Sequence, residues 1–290
     1  MTMQLEIYAK RYLPQPIVDV LRVVKYRMDL ATFSSRVVSH RYGRHCLHMN
    51  INDRVAGEWY DKDWELPPEI EFLSHGQIPR SGRVFDLGAY QCLNAMLLAR
   101  EVVPEGSVVA VEANRHNVEI ARSNLELNGV DNIDVVHGLA SSSIGKAHAD
   151  LSFNSRAKQG IEALVSEAVD ALSIDQLSQL KGPPDLVYMD IEGFEIEALK
   201  GATQTLQRWC HWFVELHGDD MLARYGARNA DILKFFGIQD FARFVYQATE
   251  NKFRQVTESE PLPAERCFVI FAPRSARLIN QTLGERAQRQ

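Results

Sequence analysis

The strand-and-helix rhythm that begins at Gly82 restricts the fold of this chain more than any other feature. Residues 84–87 read as a short apolar strand, 95–100 as a helix, 107–111 as a second strand, 118–127 as a second helix and 133–136 as a third strand. Alternation of this kind, with short connections, builds a parallel sheet with helices on both faces. Asn128-Gly129 stands where the second helix needs a C-cap. After an irregular stretch, 185–189 reads as a fourth strand ending at Asp190, 194–206 as a strong helical pattern and 212–216 as a fifth strand. Residues 230–236 look helical, and 241–247 and 267–271 close the sheet as an antiparallel pair. That ending suits seven strands better than the symmetric six-stranded dinucleotide fold.

Outside this rhythm the reading is coarser. Residues 1–80 form an N-terminal helical or cap segment, with a helix over 17–30 that carries an apolar stripe through Val18, Leu21 and Val24. A short hairpin fits within 41–54, and a further helix starts at Pro68 or Glu69. The segment is expected to pack across one edge of the main domain, which runs over 81–275 and leaves 276–290 as a basic tail. Between them, 147–153 reads as an extra strand, 155–160 as a loop and 173–180 as a short helix with Ser173 as its cap.

Composition excludes several classes. An apolar fraction of 46% and a charged fraction of 24% are those of a globular protein, and a net charge of −6 gives no reason to expect nucleic acid as a partner. Cys46, Cys92, Cys210 and Cys267 form no CxxC pair, which argues against a zinc knuckle or a disulfide-stapled domain and suits a reducing compartment. No stretch approaches a membrane span and the first residues do not read as a signal peptide, so the cytoplasm is expected, without membrane insertion. The oligomeric state is left open.

Asp86-Leu87-Gly88-Ala89 sits where the first strand turns into a helix. Gly88 lets backbone approach a ligand at the carboxyl end of the sheet, and Asp86 can brace the turn or reach a ligand's ammonium through water. Glu112 ends the second strand, where an acid can accept both hydroxyls of an adenosine ribose. The turn continues Tyr90-Gln91-Cys92 and holds no G-x-G-x-x-G run, so a pyrophosphate-bearing dinucleotide is disfavoured while an adenosyl ligand without phosphates is not. A P-loop is also missing.

Asp190, Glu192 and Glu195 follow the fourth strand, and Glu215 and His217 end the fifth on one face by period two. Asp190 can orient substrate, brace its loop or bind a metal; Glu195 can stabilise a helix start or take part in chemistry. His217, with a carboxylate beside it, is the best candidate for a base that removes a hydroxyl proton, against the plainer reading of a packed histidine beside Trp212. His137 belongs near an adenine or in packing, and Ser141 and Ser142 can supply hydrogen bonds there. Asp190, Glu192, Glu215 and His217 together offer ligands for a divalent ion, but no metal is assigned.

Asp86–Ala89, Glu112, Asn124–Gly129, the block Asp190-Ile191-Glu192-Gly193-Phe194-Glu195 with Lys200-Gly201-Ala202 after it, and Val214-Glu215-Leu216-His217 together resemble the FkbM family of methyltransferases, over roughly residues 55–272. The resemblance implies an α/β, Rossmann-like class I methyltransferase fold, with a mainly parallel seven-stranded sheet and helices on both faces. It implies S-adenosyl-L-methionine as cofactor and O-methylation of a hydroxyl on a sugar, glycan or small natural product, in a bacterial setting. The cofactor is then expected at Asp86, Gly88, Ala89, Tyr90, Glu112, Ala113, Ser141 and Asp190, with His217, Asp190, Glu215 and Glu192 as the catalytic set. The family's first motif commonly reads D-x-G-A-N-x-G; here Tyr90 replaces the asparagine and Cys92 the second glycine. Two other readings stand beside this one: a non-catalytic Rossmann-like binding protein, which those two departures permit, and an NAD(P)-dependent oxidoreductase, which the missing glycines oppose.

Overall fold

A computed structural model of the chain describes residues 13–150 and 166–274. The loop expected over 155–160, the end of the strand expected over 147–153 and the basic tail lie outside the described residues. Helix α1 (Gln15–Thr32) leads into strands β1 (Arg36–Tyr42) and β2 (His45–Ile51), then α2 (Arg54–Tyr60) and α3 (Pro68–Leu73). The alternating region follows as β3 (Arg83–Leu87), α4 (Leu93–Glu101), β4 (Ser107–Glu112), α5 (Arg115–Leu127) and β5 (Ile133–His137). Next come β6 (Leu139–Ala140), β7 (Gly145–Asp150), β8 (Ser166–Leu172), α6 (Ile174–Lys181), β9 (Leu186–Met189), α7 (Glu195–Lys200) and β10 (His211–Leu216). A short α8 (Asp219–Leu222) and two 3-10 turns precede β11 (Phe241–Gln247), β12 (Lys252–Val256) and β13 (Cys267–Pro273).

The main sheet has eight strands in the order β12-β11-β13-β10-β9-β3-β4-β5. Its β10-β9-β3-β4-β5 half is parallel, and β13, β11 and β12 run antiparallel. The class I methyltransferase fold is therefore present, and β12 adds an eighth strand as the hairpin partner of β11. Strands β9 and β10 are buried at every position, as strands covered on both faces must be. Order reverses between β3 and β9, and an open α/β sheet forms its ligand crevice at such a point.

On one face, Ile174, Leu177, Ile196, Leu199, Leu222 and Phe236 pack over Val187, Trp212 and Phe271. On the other, α4 and α5 cover β4 and β5, and the N-terminal segment covers what they leave open. Phe72 of α3 meets Phe244 of β11 and Phe253 of β12 at ring separations of 5.1 and 5.5 Å. At the far end, Asn124 Oδ1 accepts the Asn50 N–H at 2.7 Å, and Asn128 pairs with both backbone groups of His48. The segment thus lies across a whole face rather than one edge. Tyr42, Leu47, Ile51 and Ile70 share one core with Val84, Leu93 and Phe213.

Candidate active site

The crevice is built by the ends of β3, β4, β5 and β9. After β3, the N–H groups of Gly88 and Ala89 both donate to the Val111 carbonyl of β4. After β9, the Asp190 N–H donates to the Leu87 carbonyl, which brings the two loops together. A Cβ on Gly88 would stand 1.8 Å from the Asp190 carbonyl oxygen, and φ there is +89°. The glycine is required by this contact between loops as much as by a ligand. Tyr90 and Cys92 also occupy the left-handed region, at φ +48° and +67°. The turn keeps its glycine-type course although its side chains depart from the motif, at a cost of about 1–2 kcal/mol per residue.

Gly88, Tyr90, Glu112, Ala113, Asp190 and Glu192 line the resulting cleft. Asp86, Ala89 and Ser141, also expected at the cofactor, do not line it. Asp86 is only 1% exposed, its Oδ2 has no hydrogen-bond partner, and burial together with nearby Glu112 pushes its carboxyl up to about 7. Bracing of the turn falls to the Val111 carbonyl instead. Ser141 lies behind the cleft, where its carbonyl would be 2.3 Å from a Cβ on Gly201; this contact explains the glycine of Lys200-Gly201-Ala202. Ser142 bonds Glu197, and His137 Nε2 bonds the Ala113 carbonyl at 3.0 Å, so both serve the frame.

Val55 and Trp59 of α2 close the cleft from the N-terminal side. Sequence reasoning passed over them because nothing in the local pattern of 54–60 indicates which distant strand ends that helix will cover. Gly138, Leu139 and Ala140 supply the wall after β5.

Glu112 is buried, and each carboxylate oxygen already holds one backbone donor. Oε2 accepts the Tyr90 N–H at 2.9 Å and Oε1 the Asn114 N–H at 2.7 Å, with Asn117 Nδ2 at 3.4 Å.

Across the cleft, His217 gathers the acids expected beside it. Its Nδ1 bonds Glu195 Oε1 at 2.7 Å, and Nε2 lies 3.5 Å from Asp190, 3.6 Å from Glu192 and 3.4 Å from Glu215. Glu195 Oε1 also accepts the Gly193 N–H at 3.0 Å, so this fully buried acid secures the loop and grips the ring together. Its place in the D-x-E-G-x-E block was the available signal. Burial alone would lower the His217 pKa, but Glu195, Asp190 and Glu192 outweigh it and raise the ring to about 9. The raised value favours the protonated ring at neutral pH. Burial, and then Glu215, push the Asp190 carboxyl well above the usual range, while its side chain stays 30% exposed. Arg266 pairs with Glu215 from the β13 side. Asp190, Glu192 and His217 each present one ligand atom within 4.8 Å of the others, which is metal-ligand spacing. Among the described residues no helix is long and apolar enough to cross a membrane.

The model of the methyltransferase FkbM domain matches residues 86–245. Among solved structures, methyltransferase FkbM from Methylobacillus flagellatus KT is 18% identical with a TM-score of 0.42, covering 66% of this chain and 44% of its own. An O-methyltransferase from Thermotoga maritima, described as S-adenosylmethionine-dependent, is 14% identical with a TM-score of 0.42, covering 83% and 78%. An rRNA methylase from Streptococcus thermophilus is 11% identical with a TM-score of 0.43, covering 71% and 93%. A stretch of 68 residues is 28% identical to small ribosomal subunit protein uS4 of Prochlorococcus marinus (strain NATL2A), covering 23% of this chain and 28% of that protein. The chain thus spans less than half of the FkbM structure and of the ribosomal protein. With the family model covering more than half of its length, the chain belongs to the FkbM methyltransferase family.

Proposed function

We propose that the chain is an S-adenosyl-L-methionine-dependent methyltransferase acting on a hydroxyl of a sugar, glycan or small natural product. The observation that carries this reading is the placement of Glu112 and Asp190 on one cleft at the reversal of strand order. The residues present suit an adenosyl ligand. Glu112 presents a carboxylate to the cleft at the end of β4, where an acid suits a ribose, and the glycine-type turn lets backbone close on the ligand. When bound, the cofactor supplies an activated methyl group.

The protein's own task is then alignment and management of one proton. Asp190, partly exposed in the cleft and with its carboxyl pushed up, takes the acceptor's hydroxyl proton as the oxygen is methylated. His217 stays a cation: held by Glu195, it keeps Asp190 and Glu192 in place and limits repulsion among the surrounding acids. Glu215 belongs to that setting through His217 and Arg266.

The test is transfer of labelled methyl from S-adenosylmethionine to a panel of glycosides and hydroxylated small molecules. Label is expected on oxygen, with turnover falling on the order of 100-fold or more in Asp190→Asn. The acidic limb of the pH profile should lie above the ordinary carboxylate range, since Asp190 must ionise first. Label on nitrogen or carbon would overturn the hydroxyl assignment, and undiminished turnover in Asp190→Asn would remove it as the base.

A further inference from the structure

The family match begins at residue 86, yet the acid that best suits the cofactor's ribose is held from outside it. Each oxygen of Glu112 accepts one backbone N–H, from Tyr90 on one side and Asn114 on the other. Both of those residues are in turn bound, through their side chains, by the N-terminal segment. The Tyr90 hydroxyl donates to Asp53 at 3.2 Å, and Asn114 Nδ2 donates to the Tyr26 hydroxyl at 3.2 Å. Two relays of the same form converge on one carboxylate.

Asp53 is built for such a task. It is 1% exposed, and besides Tyr90 it accepts the Ala56 N–H at 2.7 Å, which caps α2, and Gln91 Nε2 at 2.7 Å. His116 Nε2, on the helix after β4, lies 3.6 Å away. Burial pushes its carboxyl up, but His116, the Ala56 N–H and Gln91 more than offset that and hold it ionised. Its helix α2 carries Val55 and Trp59 into the cleft, so one buried acid joins a wall of the cleft to the cofactor turn. Tyr60 of the same helix packs its ring 5.8 Å from that of Tyr90. Tyr26, also buried, fixes α1 against the start of α5.

We propose that the N-terminal segment positions Glu112 for recognition of the cofactor's ribose, with Asp53 acting through Tyr90 and Tyr26 acting through Asn114 as positioning residues. The inference rests on the reading of the cleft as an S-adenosylmethionine site. It also gives Tyr90 a use: at the motif's asparagine position, the phenol spans the distance from the cofactor turn to Asp53. The short amide of asparagine does not extend as far from the backbone as a phenol. The left-handed strain at Tyr90 is then offset by a link between two parts of the chain.

The experiment is calorimetric titration of the full chain with S-adenosylhomocysteine, on the parent, Asp53→Asn, Tyr26→Phe, Tyr90→Phe and the Asp53→Asn/Tyr90→Phe double variant. Loss of one hydrogen-bonded relay should raise Kd about tenfold in Asp53→Asn and about threefold in each phenylalanine variant. The double variant should bind no more weakly than Asp53→Asn alone, because both changes cut the same relay. In turnover assays of Asp53→Asn and Tyr26→Phe, KM for the methyl donor should rise with kcat unchanged, a split that general destabilisation does not produce. Tyr26→Phe and Tyr90→Phe remove only a hydroxyl, so they test the relays even if Asp53→Asn does not fold. Affinities within twofold of the parent in the folded variants would overturn the proposal, as would strictly additive losses in the double variant. A parent that binds no S-adenosylhomocysteine would instead fail the reading of the cleft, and this inference with it.

Discussion

At the scale of single residues, the most consequential group is His217, because one ring stands among four carboxylates beside the cleft. Its side chain is 7% exposed and has carboxylates at both nitrogens. The folded-state value of about 9 stands above the ordinary 6.5. A raised value means that folding favours the protonated ring. Its stabilising contribution is complete below about pH 6.5 and is lost as pH rises through about 9. Urea unfolding of the parent between pH 6 and 10 should therefore show stability declining across that window. His217→Gln should be less stable at pH 6 and should lose much of the decline. A variant whose pH dependence matches the parent's would show that the ring is not the cation described. Removing the cation leaves Asp190, Glu192, Glu195 and Glu215 facing one another, so Glu→Gln changes in the same group should partly restore the variant.

At the scale of elements, the connection from α7 to β10 depends on one acid. Asp175, in the first turn of α6, accepts from Thr203 Oγ1, the Gln204 N–H, and both the N–H and Oγ1 of Thr205 at 2.8–2.9 Å. These bonds close the turn after Lys200-Gly201-Ala202 and so fix where α7 delivers Glu195 to His217. Asp175→Ala should cost about 2 kcal/mol, since buried Thr205 would lose its partner, and Asp175→Asn should cost less. Denaturant midpoints would check the order; an alanine variant as stable as the parent would contradict it.

Much at this scale was legible beforehand. The alternation from 82 to 136, the closing antiparallel strands and the Ser173 cap, which accepts the Gln176 N–H, follow from period, composition and cap chemistry acting over a few residues. Asp190, Glu192 and His217 could be placed together because strand ends of a parallel sheet share one side. Less could be read where a position depends on distant chain. Val55 and Trp59 reach the cleft through contacts distant in sequence, with Asn124 and Asn128 holding the β1–β2 hairpin against α5 and Asp53 tying α2 to Gln91. The left-handed backbone at Tyr90 and Cys92 had no local signal, since neither residue type favours it. The charge of His217 was harder to read, since it depends on how closely four carboxylates from the 190–195 block and from β10 approach one ring.

At the scale of the molecule, an eight-stranded sheet is too broad for α4 and α5 to cover on one face, and residues before 81 complete that layer. The consequence is functional as well as structural. The family match starts at residue 86, while the cleft takes walls from α2 as well as from the strand ends. Glu112, the turn beside it and Asp190 and Glu192 share one cleft, and Val55 and Trp59 of this outer layer close its side. The most direct measurement of the account is calorimetric titration of the full chain and of Glu112→Gln with S-adenosylmethionine. It predicts one-to-one binding by the parent and affinity weaker by about tenfold or more in Glu112→Gln. Absence of binding by the parent, or equal affinity in the variant, would contradict it.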